Sequence, residues 1–295
     1  MLEHTYPQPV RPRRVVILGA SGFVGGAARK LFEADGALVV APERAALDLL
    51  AAGAAQQLAA LLAPDDTLLI TAAEAPCKNP AMLTRNIQMM NAVTDAIAFT
   101  QPRHVIYVSS DAVYADSRDP LTENSVAEPG SIHGIMHLAR ERMLKDTVCN
   151  ALVILRPTLI YGADDPHNGY GPNRFSRLAA KGEDIVLFGE GEEQRDHVFI
   201  DDVAELIQRV AWQGSRGILN IATGITASFR EIAEWIIAGI KKPVGIRSNL
   251  RAGPMPHNGY RPFDSSATYQ AFPDFRYTLL ADGLARINMC GKEAE

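Results

Sequence analysis

Val15-Val16-Ile17-Leu18-Gly19-Ala20-Ser21-Gly22-Phe23-Val24-Gly25 decides the fold. An apolar, β-branched run short enough to be a buried strand passes directly into Gly-x-x-Gly-x-x-Gly, and the residues that follow read as a helix. Glycines at such a junction permit a tight turn, let backbone N–H groups approach a pyrophosphate and allow close helix packing. The helix N-terminus then favours negative charge. Gly19, Ser21, Gly22, Phe23, Val24 and Gly25 are therefore expected to cradle a dinucleotide.

Outward from this point, apolar runs at 37–41, 67–70, 104–108 and 151–155 alternate with helical stretches at 23–34, 52–62, 81–99 and 132–145. Strand–helix alternation predicts an α/β fold, a doubly wound parallel sheet of the Rossmann kind covered on both faces. After Tyr161-Gly162 the texture changes to a Gly/Pro/Asn-rich loop, a helix, a short strand at 185–188 and a glycine turn. A further sheet strand is expected at 217–222, followed by a helix at 229–240. This predicts a dinucleotide-binding domain over residues 13–165 to which 198–224 return. A smaller interleaved substrate-binding lobe is expected from 166–197 and 225–295.

The chain has 295 residues, 47% of them hydrophobic, enough for a substantial core. With 29 Lys plus Arg against 34 Asp plus Glu the formal charge is −5, so nucleic acid is not an expected partner. Cys77, Cys149 and Cys290 share no short spacing, which argues against a zinc knuckle or a disulfide framework. The residues through Arg14 lack an apolar h-region, and no segment reaches the ~20 apolar residues of a membrane span. The expectation is a cytoplasmic protein without a membrane partner.

Glu43 stands at the end of the second strand, where an acid can accept hydrogen bonds from an adenosine ribose and repel a 2′-phosphate. NAD is therefore expected over NADP, although Arg44 beside it could hold that phosphate. Asp48-Leu49 is placed to cover the adenine.

These features and others in order make the chain resemble the extended short-chain dehydrogenase/reductases, the branch of nucleotide-sugar epimerases, dehydratases and reductases. The matches are Gly19-x-x-Gly22-x-x-Gly25, Thr71-Ala72-Ala73, Asn86, Val108-Ser109-Ser110-Asp111-Ala112-Val113-Tyr114, Leu155-Arg156-Pro157 with Tyr161-Gly162, and Phe188-Gly189-Glu190-Gly191 through Arg195 to Asp201-Asp202-Val203. The resemblance implies cofactor contacts at Ala72, Ala73, Asn86, Ser109 and Pro157. It gives Ser110 the task of hydrogen-bonding the reacting sugar oxygen. Asp111 matches an acid of some dehydratases, but Ala112 replaces their second acid. A homodimer through the helices at 81–99 and 132–145 is implied as well.

The family's Tyr-x-x-x-Lys, aligned by Pro129 and Glu141, is here His133-Gly134-Ile135-Met136-His137. The Tyr ordinarily moves a proton as hydride passes to or from nicotinamide, while the Lys lowers its pKa and holds the cofactor ribose. An imidazole shuttles a proton near neutral pH unaided, so His133 can be the acid/base, with an ionisation limb expected near neutrality. His137, one turn along, can hydrogen-bond the ribose. A cofactor-binding protein without turnover is the competing reading. A His-x-x-x-His metal site is another, but no nearby segment offers a third ligand, so no metal is expected.

The resemblance also implies that Arg195 and Arg261 grip a substrate diphosphate, with Asn173 and Arg174 in the same pocket. The expected function is NAD-dependent transformation of a nucleoside-diphosphate sugar through a keto intermediate, with epimerisation ahead of reduction. Asp201-Asp202 is expected only to cap the helix after it.

Overall fold

The structure is a computed structural model that describes residues 2–290; the far end of the expected substrate lobe, residues 291–295, lies outside them. Alternation places β1 (Arg14–Leu18), α1 (Phe23–Ala34), β2 (Leu38–Val40), α2 (Ala54–Leu61), β3 (Thr67–Ile70), α3 (Pro80–Phe99), β4 (His104–Val108), α4 (Ile132–Thr147) and β5 (Ala151–Pro157). Next come β6 (Leu159–Tyr161), α5 (Pro172–Lys181), β7 (Ile185–Phe188), β8 (Gln194–Phe199), α6 (Ile200–Trp212) and β9 (Gly217–Ile221). The last are β10 (Thr226–Ser228), α7 (Phe229–Ala238), β11 (Ile246–Asn249), β12 (Tyr260–Arg261), α8 (Ser266–Ala271) and α9 (Leu280–Cys290). Helices α2 and α7 are three and two residues shorter than their apolar patterns suggest. Strands β6, β8, β10, β11 and β12 were not expected.

Six parallel strands run in the order β2-β1-β3-β4-β5-β9. Side chains alternate across it: Val15, Ile17, Leu69, Ile106 and Leu155 pack toward Phe32 of α1 and Leu206 and Val210 of α6. Val16, Leu68, Ile70, Val105 and Tyr107 pack toward Leu58, Val93, Ile97 and Leu144 of α2, α3 and α4. Both faces are thus covered, which is why the strands read as continuous apolar runs. The strand order reverses at β1, flanked by β2 and β3, and ligands of such sheets bind at that switch point beyond the strand ends.

The second lobe is built on β8, which pairs with β10, β12 and β6, and on the β7–β11 pair. Its core packs Phe175, Leu187, Phe229, Ile232 and Ile236. Asp201 and Asp202 do not cap α6: the helix starts at Ile200, both acids lie inside its first turn, and Asp202 accepts hydrogen bonds from the Thr278 backbone N–H and hydroxyl, each at 2.8 Å.

Helix α4 carries the atypical histidines, and one buried carboxylate fixes it. Glu141, fully buried, accepts Arg156 Nε and Nη2 of β5 at 2.9 and 2.6 Å and the Ser109 hydroxyl, beyond β4, at 2.6 Å. Two turns before this, Gly134 rides against the 3₁₀ turn of chain after β4: a Cβ there would lie 2.0 Å from the Ala112 carbonyl oxygen. The two contacts set where the N-terminal end of α4 meets the end of β4. Because removing one partner of a buried ion pair leaves an uncompensated charge, Glu141→Ala should cost about 3–5 kcal/mol in denaturant unfolding. Arg142→Ala, at an exposed pair with Asp146, should cost no more than about 0.5 kcal/mol. Equal midpoints for the two variants would contradict this account of α4.

Candidate active site

The glycine loop is shaped for a ligand that comes close to the backbone. Gly19 has φ +93°, and a Cβ on it would lie 2.7 Å from the Ala72 backbone nitrogen; one on Gly25 would lie 2.2 Å from the Gly19 carbonyl oxygen. Thr71 locks the two strand ends together, its hydroxyl donating to the Leu18 and Gly19 carbonyls at 2.9 and 3.2 Å. Helix α1 has no side-chain cap and no acid in its first turn, so its N-terminal N–H groups remain for an anion. These residues, with Ser21, Phe23 and Val24, fit the pyrophosphate of a dinucleotide.

Glu43 and Arg44 are both exposed after β2. Arg44 leans toward Asp48, 3.9 Å away, while the Glu43 carboxylate has no partner among the described residues. That arrangement leaves an exposed acid at the end of β2. Asp48 also accepts the Leu50 N–H at 3.1 Å, and Leu49 packs into the core, so the pair orders this turn. Ala72 and Ala73 are half-buried beside the glycine loop. Asn86 is fully buried: its amide accepts the Glu74 N–H and donates to the Glu74 and Met82 carbonyls at 3.0 and 2.9 Å. It shapes the 71–74 loop and has no surface with which to touch a cofactor. Ser109 is spent on Glu141, and Pro157 is buried at the end of β5.

Beyond β4, Ser110 accepts the Ala112 N–H at 3.1 Å and reaches Asp111 at 3.3 Å, capping a short 3₁₀ turn at Asp111–Val113 while staying half-exposed. Gly134 packs on that same turn, which brings His133 alongside it. His133 is half-buried, and its Nδ1 accepts the Cys77 backbone N–H at 3.2 Å. A neutral ring so held carries its proton on Nε2. Burial pushes the His133 pKa down, with Asp111 opposing. His137 is buried behind it, the ring centroids 4.7 Å apart in an edge-on contact, and its Nδ1 hydrogen-bonds the Tyr107 hydroxyl at 2.8 Å. Burial, then His133 and Arg140, hold His137 well below the ordinary imidazole range, and burial raises the Tyr107 phenol to about 12. Both imidazoles are therefore neutral at neutral pH. Among the described residues no group of three or more His, Cys, Asp or Glu is placed to hold a metal ion.

The charged end of the cleft is a network. Asp111 receives Arg261 Nε at 3.1 Å and lies 3.9 Å from Arg195 Nη2. Arg261 is 1% exposed and also donates to Asp116 and to the Asp111 carbonyl, so its fork is occupied by protein. It holds Asp111 in place, and is sealed off from the diphosphate expected of it. Arg195 and Arg251 instead share one carboxylate, each 3.4 Å from Glu193, and the Arg251 Nε has no partner. Asn173 is committed to the Gly162 N–H and Asp165, ordering the loop before α5, while Arg174 is exposed.

A model of the NAD dependent epimerase/dehydratase family matches residues 15–222. The chain belongs to that family. Its relatives include a UDP-glucose 4-epimerase of Mycolicibacterium smegmatis, 28% identical over 269 residues covering 78% of this chain and 83% of that protein. Among solved structures, the Thermotoga maritima UDP-glucose 4-epimerase with UDP-glucose superposes with a TM-score of 0.83 at 18% identity, over 96% of this chain and 100% of that one. The Thermus thermophilus UDP-glucose 4-epimerase complex with NAD gives 0.82 at 20% identity, with the same coverage. The structural likenesses establish the shared fold. Family membership makes the protein an NAD-dependent enzyme, and no helix among the described residues is long and apolar enough to cross a membrane.

Tyr107, Arg140 and Arg251 escaped the sequence. Tyr107 and Arg140 read as members of a buried strand and a helix, and nothing in their spacing announces the contact with His137 or the core guanidinium. Arg251 sits in a loop without periodicity, and β11, the strand before it, carries no sequence signal either. Gly19→Ala should lower NAD affinity at least about tenfold, since a side chain at φ +93° is strained and collides with Ala72. Titration calorimetry reads this directly; unchanged affinity would contradict the cradle.

Proposed function

We propose that the protein epimerises a nucleoside-diphosphate sugar through a keto intermediate, with His133 as the residue that moves the proton. One observation carries the reading: a half-buried imidazole stands beside the Ser110 turn, its Nδ1 anchored on the Cys77 N–H. NAD, when bound, supplies the acceptor and then the donor of hydride. As the sugar carbon gives up hydride, its hydroxyl proton passes to the imidazole; on return to the other face the same proton completes the alcohol. Ser110 orients the sugar oxygen. Arg195 and Arg251, joined through Glu193, supply the guanidinium charge for a diphosphate.

The tautomer decides how the ring works. Held by Cys77, neutral His133 offers an Nε2–H and so donates to a carbonyl oxygen. Accepting a proton at Nε2 requires the other tautomer, at the expense of one hydrogen bond of about 1 kcal/mol. The resting ring therefore suits the carbonyl half of the cycle, and this favours net reduction of a keto-sugar as the second reading. Net loss of NADH with an alcohol product would select it.

His133→Phe should lower turnover by at least about a hundredfold, the scale of general acid–base catalysis, while NAD binding is kept. Because burial lowers the His133 pKa, the neutral ring persists through neutral pH, and activity should fall only as pH drops through a midpoint below 6.5. The limb expected near neutrality from an unperturbed imidazole moves to the acid side. Turnover in His133→Phe close to that of the parent would rule out the role.

A further inference from the structure

Arg140 is among the largest fully buried side chains, 1% exposed, and among the described residues no carboxylate lies within ion-pair distance of it. The other fully buried or nearly buried arginines are paired, Arg156 with Glu141 and Arg261 with Asp111 and Asp116. A buried charge without a counter-charge is costly, so its neighbours must make use of it. Arg140 Nη2 donates to the Ala72 carbonyl at 2.7 Å, Nη1 approaches Met136 Sδ at 3.8 Å, and the guanidinium lies 5.2 Å from the Tyr107 ring centroid. Its Nε has no partner. Ala72 is the residue whose backbone nitrogen closes against Gly19, and Tyr107 is the residue that hydrogen-bonds His137. One guanidinium thus touches both the floor of the cofactor cradle and the support of the histidine pair.

We propose that Arg140 is a positioning residue whose unpaired buried guanidinium braces the Tyr107 ring that hydrogen-bonds His137 and fixes the Ala72 edge of the cofactor cradle, leaving His133 as the single proton carrier. The groups around the pair bear this out. Tyr107 on β4 is neutral, Cys77 contributes only its backbone N–H, and Glu141 is paired with Arg156, hydrogen-bonded by Ser109 and 3.9 Å from Lys145. Asp111 acts on His133 and is itself held by Arg261. Against a charge on His137 stand burial first, then His133, and then the guanidinium of Arg140.

The proposal rests on His133 as proton carrier only for its consequence in turnover, and the test separates the two. With NAD bound, imidazole titration by NMR would be followed in the parent protein, Arg140→Met and Arg140→Lys. The parent His137 should stay neutral well below 6.5; titration at or above that value would overturn the proposal even if neither variant folds. In Arg140→Met the His137 midpoint should rise, and NAD should bind about tenfold more weakly. Arg140→Lys should restore the low midpoint. An unshifted midpoint in a folded Arg140→Met would overturn the assignment. A shifted midpoint together with full turnover in His133→Phe would uphold Arg140 and defeat the proposed proton carrier instead.

Discussion

The carboxylate of Glu141, buried between a strand-end serine and a β5 arginine, is the contact from which the site geometry follows. It is worth little as a net source of stability, because desolvating both charges offsets most of their attraction. What it does is fix one register: α4 cannot rotate or slide without leaving Arg156 or Glu141 unpaired in the core. Gly134 then allows the first turn of α4 to touch the Ala112 carbonyl, and His133 is delivered beside Ser110.

The histidines delivered there differ in burial and hence in chemistry. His137 faces Tyr107 and Arg140 in the interior, where an imidazolium would be opposed by burial, by a neighbouring imidazole and by a guanidinium. His133 keeps part of its ring open to the cleft and has Asp111 as its one favourable charge. Two identical residues one turn apart thereby acquire separate tasks, a rigid support and an exchangeable proton site. The ring contact between them means that only one can carry a proton at low cost.

The sheet was legible because its inner strands are buried on both faces and so read as unbroken apolar runs; the glycine loop was legible because Gly19 and Gly25 have no room for a Cβ. The second lobe was harder, since β10 and β12 are short and their pairings with β8 join residues far apart in sequence. Side-chain destinations were hardest. Arg261 was expected to face a diphosphate, and only the fold shows it turned inward to Asp111 and Asp116, while Arg251 takes the place beside Arg195. Asn86 was expected at the cofactor and acts through the Glu74 backbone instead. Motif order gives a residue's address along the chain, but the direction of a long polar side chain depends on charges that arrive from other segments.

The central claim is that a neutral histidine pair on a family fold still supports hydride and proton transfer on a sugar nucleotide. The most direct measurement is to incubate the NAD-loaded protein with a panel of nucleoside-diphosphate hexoses and read product stereochemistry together with the absorbance of reduced nicotinamide. The account predicts that one of the sugars is converted to its epimer, with reduced nicotinamide formed transiently and no net change in cofactor. Tight NAD binding with neither product nor reduced nicotinamide for any sugar would contradict it, and would make the protein a binder that no longer turns its ligands over.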